Sequence, residues 1–169
     1  MQNGKSKLMI SKDQIIQFLN EIPDPEIPVI SIVELGMINN VRISDEKVIV
    51  ELMPTYTGCP ATSQIEKDIV HYLNSKGINN VKVELVYTPT WTTDWISENA
   101  KEKLKKYGIS PPLKSHTEKG FLIGKSKKIE CPRCDSNNTE LISQFGSTAC
   151  KALYKCNSCL EPFDYFKCI

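Results

Sequence analysis

Apolar positions in this chain recur with two different periods, and the changes of period divide it into elements. Over residues 11–22, Ile15, Phe18, Leu19 and Ile22 fall on one helical face, and Ser11 and Gln14 have the spacing of a capping box. The stretch Ile22-Pro-Asp-Pro-Glu-Ile-Pro-Val29 carries three prolines and predicts an extended, stiff loop. Residues 30–43 read as a strand, broken near Gly36. Residues 47–53 are a clearer strand, with Val48, Val50 and Leu52 alternating with Ile49 and Glu51. The polar link Ser44-Asp-Glu46 makes the two an antiparallel hairpin.

A second helix is expected from about Ala61 to Asn74, with Ala61, Ile65, Ile69 and Leu73 on one face and Pro60 suited to its first turn. Residues 80–87 alternate again, placing Val81, Val83 and Leu85 on one side of a strand. A third helix over about 94–106 would be opened by Asp94 and closed by Gly108. This order predicts a small α/β sandwich over residues 1–108, one sheet with packed helices. Residues 109–128 lose the periodicity and read as a linker, anchored in part by Phe121, Leu122 and Ile123. A distinct module follows over 129–169, so the whole is an α+β chain of two parts.

Cysteine changes this picture most. Of seven cysteines, six lie beyond residue 130 and Cys59 stands alone. Cys131-Pro-Arg-Cys134 and Cys156-Asn-Ser-Cys159 form two C-x-x-C turns, which together supply the four thiolates of a tetrahedral metal site. Such a site holds together a segment too small for a core of its own. The favoured module is a zinc ribbon, with Leu141, Ile142, Phe145 and Tyr154 suited to its short strands. Iron in a two-knuckle site, or an iron–sulfur cluster, would use the same ligands. Cys150 and Cys168 are alternative ligands, though four cysteines already fill the site and non-ligand roles are favoured.

Charge narrows the partners. The chain of 169 residues is 40% hydrophobic and 24% charged with a formal net charge of +1, so no global field draws it to nucleic acid or an anionic membrane. No run approaches a membrane helix, and the polar start lacks a signal-peptide core. The expected location is the cytoplasm, where thiols stay reduced. No phosphate loop or dinucleotide fingerprint is present.

Five of the thirteen aromatics crowd the C-terminal module. Packing into a small core around the metal is their commoner use. The alternative is a docking surface for a partner protein, with Phe163, Tyr165 and Phe166 in the run Glu161-Pro-Phe-Asp-Tyr-Phe166 as its anchors.

Cys59, in Thr55-Tyr-Thr-Gly-Cys-Pro-Ala61, precedes the second helix, where the macrodipole and free amides favour a thiolate. Thr55 and Thr57 could donate hydroxyl hydrogen bonds there. Asp24 and Glu26 offer a carboxylate pair, or cap a turn, the commoner use of Asp-Pro. Trp91 and Trp95 lie in a polar–aromatic loop after the third strand, more suited to covering a core than to a site. His71 and His116 are placed mid-helix and in the linker, so no Cys–His nucleophilic pair is expected.

Asp24-Pro-Glu-Ile-Pro-Val29, Leu35-Gly36 and Thr55-Tyr-Thr-Gly-Cys-Pro-Ala61 resemble the iron–sulfur assembly family that includes SufT, over about residues 11–108. Cys131-Pro-Arg-Cys134, Phe145-Gly-Ser-Thr-Ala-Cys-Lys-Ala-Leu-Tyr154, Cys156-Asn-Ser-Cys159 and Glu161-Pro-Phe-Asp-Tyr-Phe-Lys-Cys168 resemble the tail of the PaaD (PaaJ) family. Those proteins are accessory components of the phenylacetyl-CoA epoxidase system. The resemblance implies a role in maturation rather than a reaction. Cys59 would transiently hold iron or an iron–sulfur cluster beside the Asp24–Glu26 loop, and the oxygenase and reductase subunits would be the partners. One cysteine cannot hold a cluster, so a homodimer or a client would supply further ligands. No Glu-x-x-His pair of the di-iron type is present.

Overall fold

The computed structural model describes residues 10–44, 47–113 and 128–167. Helix α1 (Lys12–Leu19) opens on the expected capping box: Ser11 accepts from the Gln14 amide, and the Gln14 side chain accepts from the Ser11 amide. Its face is set by Ile15 and Leu19, both fully buried.

The proline-rich segment is not extended. It closes on itself through a bridge between Pro23 and Ser31, with Asp24 N–H donating to the Ile30 carbonyl at 2.9 Å and Ile32 N–H to the Ile22 carbonyl at 3.1 Å. Residues 30–36 then run in turns rather than in a strand. The apolar run there is buried because the turns tuck Ile30, Ile32 and Leu35 into the core, not because it pairs in a sheet. Gly36 ends the turns at φ +71°, where a Cβ would lie 2.7 Å from Trp95 Cβ.

Strands β1 (Ile38–Ser44) and β2 (Lys47–Leu52) form the expected antiparallel pair. Along β2, Val48, Val50 and Leu52 are buried and the alternate positions are partly exposed. Helix α2 (Thr62–Ser75) buries Thr62, Ile65, Ile69 and Leu73 on one stripe and leads to β3 (Val81–Leu85), which lies parallel to β2. The order β1-β2-β3 thus contains one β-α-β crossover. Leu85, expected on the inner face, is exposed at the strand end.

The third helix starts later than expected. Thr92 caps a short 3-10 turn (Thr93–Trp95), and Ser97, not Asp94, accepts the Ala100 amide to open α3 (Glu98–Tyr107). Gly108 closes it in the left-handed region at φ +94°.

A second sheet has the order β4-β7-β6-β5. It contains β5 (Thr139–Ser143), β6 (Lys151–Cys156) and β7 (Pro162–Phe166), joined antiparallel. Its fourth strand, β4 (Ile109–Ser110), pairs parallel with β7. Those two residues fall in the expected linker, yet they tie the end of α3 to the ribbon sheet. The rest of that segment over 114–127, with Phe121, Leu122, Ile123 and His116, lies outside the described residues, as does Cys168.

The two parts share a buried junction. Phe166 and Cys150 belong to the core of the α/β part, and the Phe166 ring meets Trp91 edge-on at 6.3 Å. Trp91 is 3% exposed and donates its indole N–H to the Leu35 carbonyl at 3.0 Å. A separate ribbon core contains Ile129, Ala152, Tyr154, Phe163 and Tyr165, with Tyr154 stacked on Phe163. Phe163, Tyr165 and Phe166 are therefore buried at 4%, 2% and 1% and form no exposed docking surface. A ribbon with few residues commits its large rings to its own core. Among the described residues, no helix is long and apolar enough to cross a membrane.

Candidate metal centre and the Cys59 junction

Each C-x-x-C turn folds the same way. In the first, Cys131 N–H donates to the Ser136 carbonyl at 2.9 Å; in the second, Cys156 N–H donates to the Glu161 carbonyl at 3.0 Å. The residue after each second cysteine, Asp135 or Leu160, takes a positive φ, of 59° and 67°. This bend turns both sulfurs of a pair to one side. The turns also touch directly, Ser136 Oγ lying 2.7 Å from Ser158 Oγ and Asn157 N–H donating to the Asn138 carbonyl at 2.8 Å.

The sulfurs of Cys131, Cys134, Cys156 and Cys159 all lie within 4.8 Å of one another. Across the pairs, Cys131 Sγ is 3.7 Å from Cys159 Sγ, and Cys134 Sγ is 3.5 Å from Cys156 Sγ. A tetrahedral ion with metal–sulfur bonds of about 2.3 Å sets its sulfurs about 3.8 Å apart. The four residues fit such an ion. As thiols they compete for protons. The amides of Cys159 and Ser158 point at Cys156 Sγ and lower its pKa to about 6. The Ser136 amide pulls Cys134 down, but desolvation and the neighbouring sulfurs push it up to about 12. Cys150 is not among the four.

Cys59 lies elsewhere, on the turn between β2 and α2. Its carbonyl accepts the Thr62 amide at 3.2 Å, and no side chain caps the helix that follows. It is half-buried and packs against the α/β core together with Tyr56. Burial pushes the Tyr56 phenol up to about 12, helped by charge on Cys59 and Cys150, by the Cys59 thiol within hydrogen-bonding reach, and by Glu26. Thr55 and Thr57, expected to donate hydroxyl bonds here, make none among the described residues.

The Asp24–Glu26 loop faces the same region. Asp24 is 6% exposed, and its Oδ1 accepts the amides of Glu26 and Ile27, each at 2.9 Å. Asp24 thus caps its own turn. Burial still raises its pKa above the ordinary aspartate value, because those two bonds only partly offset desolvation. Glu26 is half-buried, and its carbonyl accepts Lys151 Nζ from the ribbon at 3.3 Å.

The sequence alone marks Cys59, Asp24 and Glu26 but leaves Tyr56, Cys150 and Lys151 unmarked as parts of this site. Tyr56 stands inside the Thr55–Ala61 motif and could have been read there. The other two come from the distant ribbon, and only its docking brings them to this site.

Comparison with known proteins divides the chain at the same two parts. Residues 12–85 match the family described as iron–sulfur cluster assembly protein, and residues 115–167 match the PaaD zinc beta ribbon domain. Over 156 residues the chain is 50% identical to a putative 1,2-phenylacetyl-CoA epoxidase subunit from Escherichia coli K12, covering 92% of each chain. Shorter relatives resemble the α/β part alone. The Fe-S protein maturation auxiliary factor SufT of Staphylococcus aureus is 38% identical over 80 residues, 46% of this chain and 90% of that one. The crystal structure of a domain of unknown function (DUF59) from Bacillus anthracis matches with a TM-score of 0.51 at 28% identity, covering 55% of this chain and 90% of that one.

Proposed function

The chain belongs to the PaaD family of 1,2-phenylacetyl-CoA epoxidase subunits, and from that premise we propose that it is a non-catalytic accessory protein of phenylacetyl-CoA ring epoxidation in phenylacetate catabolism. It assists maturation of a metal or iron–sulfur centre in the oxygenase or reductase, and those proteins are its partners. The likeness of residues 12–85 to iron–sulfur assembly proteins supports this reading.

The single observation that carries it is the division of labour among the cysteines. Four are held in one compact cage, while Cys59 is half-buried on a turn outside it, before an uncapped helix and beside the Asp24 loop. A caged set suits structural zinc, which supplies no redox chemistry and fixes the ribbon. A thiol outside the cage is free to take and release iron as cargo. Cys59 is the residue that handles it, and Asp24 and Glu26 shape the approach.

The test is to co-express oxygenase and reductase with a Cys59→Ala variant and measure their iron content. The expected result is client iron well below stoichiometric, with ribbon zinc unchanged. Full client metal would sink the transfer role.

A second reading is a zinc-containing structural adaptor of the oxygenase complex. The packing of Phe166 and Cys150 of the ribbon into the core of the α/β part favours it, since it fastens the metal-bearing module to the rest of the chain. Under that reading, Cys59→Ala leaves both client iron and association intact, and only loss of the ribbon metal breaks the complex.

A further inference from the structure

The first C-x-x-C turn is held from outside the ribbon. Lys105, in the last turn of α3, places its Nζ 2.7 Å from Glu130 Oε1 and 2.7 Å from Asp135 Oδ1. These carboxylates belong to the residue immediately before Cys131 and the residue immediately after Cys134, so one ammonium spans the ligand pair. Two further contacts come from the same end of the α/β part. Ser110 Oγ donates to the Glu130 carbonyl at 3.0 Å, and a Cβ at Gly108 would lie 3.8 Å from Nη2 of Arg133, which stands between the two cysteines. The second turn, in contrast, is bonded to the first, through Ser158 to Ser136 and Asn157 to Asn138.

Charge gives this clamp its purpose. Four thiolates around a divalent ion carry a net negative charge, and Glu130 and Asp135 add two more negative groups beside it. An ion pair at the surface contributes little by itself. Here one cation neutralises both flanks of the ligand pair and fixes their separation. Its own position is set by a helix anchored through buried Ala100 and Leu104. Asp135 also sits at φ +59°, a region that a non-glycine residue enters at a cost, and the ion pair helps to hold it there.

We propose that Lys105 is a positioning residue for the ribbon metal: it fixes the first C-x-x-C turn from the α/β part, so that metal binding and docking of the two parts strengthen each other. A group that favours the metal-bound geometry of the turn must, in return, be held more firmly when the ion is present. Loss of the ion then frees the end of α3 and β4, whose Ile109 and Ser110 pair with Asp164 and Tyr165 of β7, next to Phe166. The ribbon metal thus acts on the seam between the parts as well as on the ribbon itself. No metal at Cys59 is required for this.

The test is the zinc affinity of the full chain, measured by competition with a chromogenic chelator at low salt. Lys105→Met keeps most of the stem and removes the charge. It should weaken zinc binding about five- to tenfold while the α1–β3 amides keep their exchange protection, and Lys105→Arg should restore most of the affinity. Because the paired groups are partly exposed, about 1 M salt should shrink the difference between Lys105→Met and the unaltered chain. The unaltered chain gives a second reading that needs no variant: stripping its zinc should speed hydrogen exchange over residues 104–110. A zinc affinity of Lys105→Met within about twofold of the unaltered chain overturns the proposal. So does a loss that Lys105→Arg shares, or one that salt leaves unmoved, since the side chain would then act by packing alone. Exchange over residues 104–110 that ignores zinc removal likewise excludes the coupling.

Discussion

The cysteines of this molecule stand in two settings that differ in how they are closed. The ribbon site is made by two turns with matching hydrogen bonds, and its four sulfurs already stand at the spacing of a tetrahedral ion. All four ligands come from one small module. Cys59, in contrast, stands on the turn between β2 and α2, and Cys150 on the turn ahead of β6, both at the core where the two parts meet. Neither turn is a regular element, and their relation depends on one part of the chain packing on the other. Closure suits an ion that must stay, and openness suits one that must leave. Stability should therefore depend on the first site and activity on the second.

The sharpest way to break the comparison is Cys131→Ser. Losing a structural zinc withdraws on the order of 10 kcal/mol, comparable to the whole margin of a small domain. The variant should lose its metal and the protection of β5–β7 amides against hydrogen exchange. The α1–β3 part has its own buried core and should keep its exchange protection. Cys59→Ser, in contrast, should leave the ribbon metal and the melting temperature nearly unchanged. Equal losses of stability in the two variants would erase the distinction between the sites.

The closed site was legible in the sequence because its chemistry is local. Two residues separate the cysteines of each pair, and the turn between them is short-range physics. The same holds for α1, where Ser11 and Gln14 cap at fixed spacing, and for β2, where alternation decides which face is buried. Elsewhere a long-range contact overrides the local pattern. Residues 30–36 are apolar enough for a strand, but the Pro23–Ser31 bridge folds them into turns. Asp94 is a good cap in isolation, but Thr92 forms a turn first and Ser97 opens the helix. Cys150 shows the limit most clearly. Its neighbours in sequence belong to the ribbon, while its neighbours in space include the core that holds Cys59.

Phe166→Ala tests whether the junction depends on that packing. The ring is 1% exposed and lies between Trp91 and the end of the ribbon sheet. Truncating a buried Phe costs about 3–5 kcal/mol. Because the lost contacts lie between the two parts, the variant should keep its ribbon metal yet expose the buried Cys150 thiol to alkylation. The check is a denaturation curve together with ribbon zinc content and peptide-mapped alkylation of Cys150. A destabilised variant in which Cys150 stays as protected as before would mean that other contacts hold the junction.

The smallest expected effect comes from Asp24, and its sign follows from burial. Desolvation holds the folded carboxyl above the value of 3.8 for an exposed aspartate, so the folded state keeps its proton to higher pH than the unfolded chain does. Stability from this group is thus complete below the unfolded value and declines as pH rises through the folded one. Asp24→Asn removes the charge but keeps an oxygen for the Glu26 and Ile27 amides. The variant should melt slightly above the unaltered protein at neutral pH, and the gap should close as pH falls towards 3.8. Acid also protonates the ribbon thiolates and releases their metal, so whole-chain melting would mix the two sites. Hydrogen exchange separates them when read on the amides of α1–β3, which belong to the α/β part. A gap that persists unchanged in acid would mean that the carboxylate's charge carries no penalty at the junction. Asp24 would then act only through the shape of its turn.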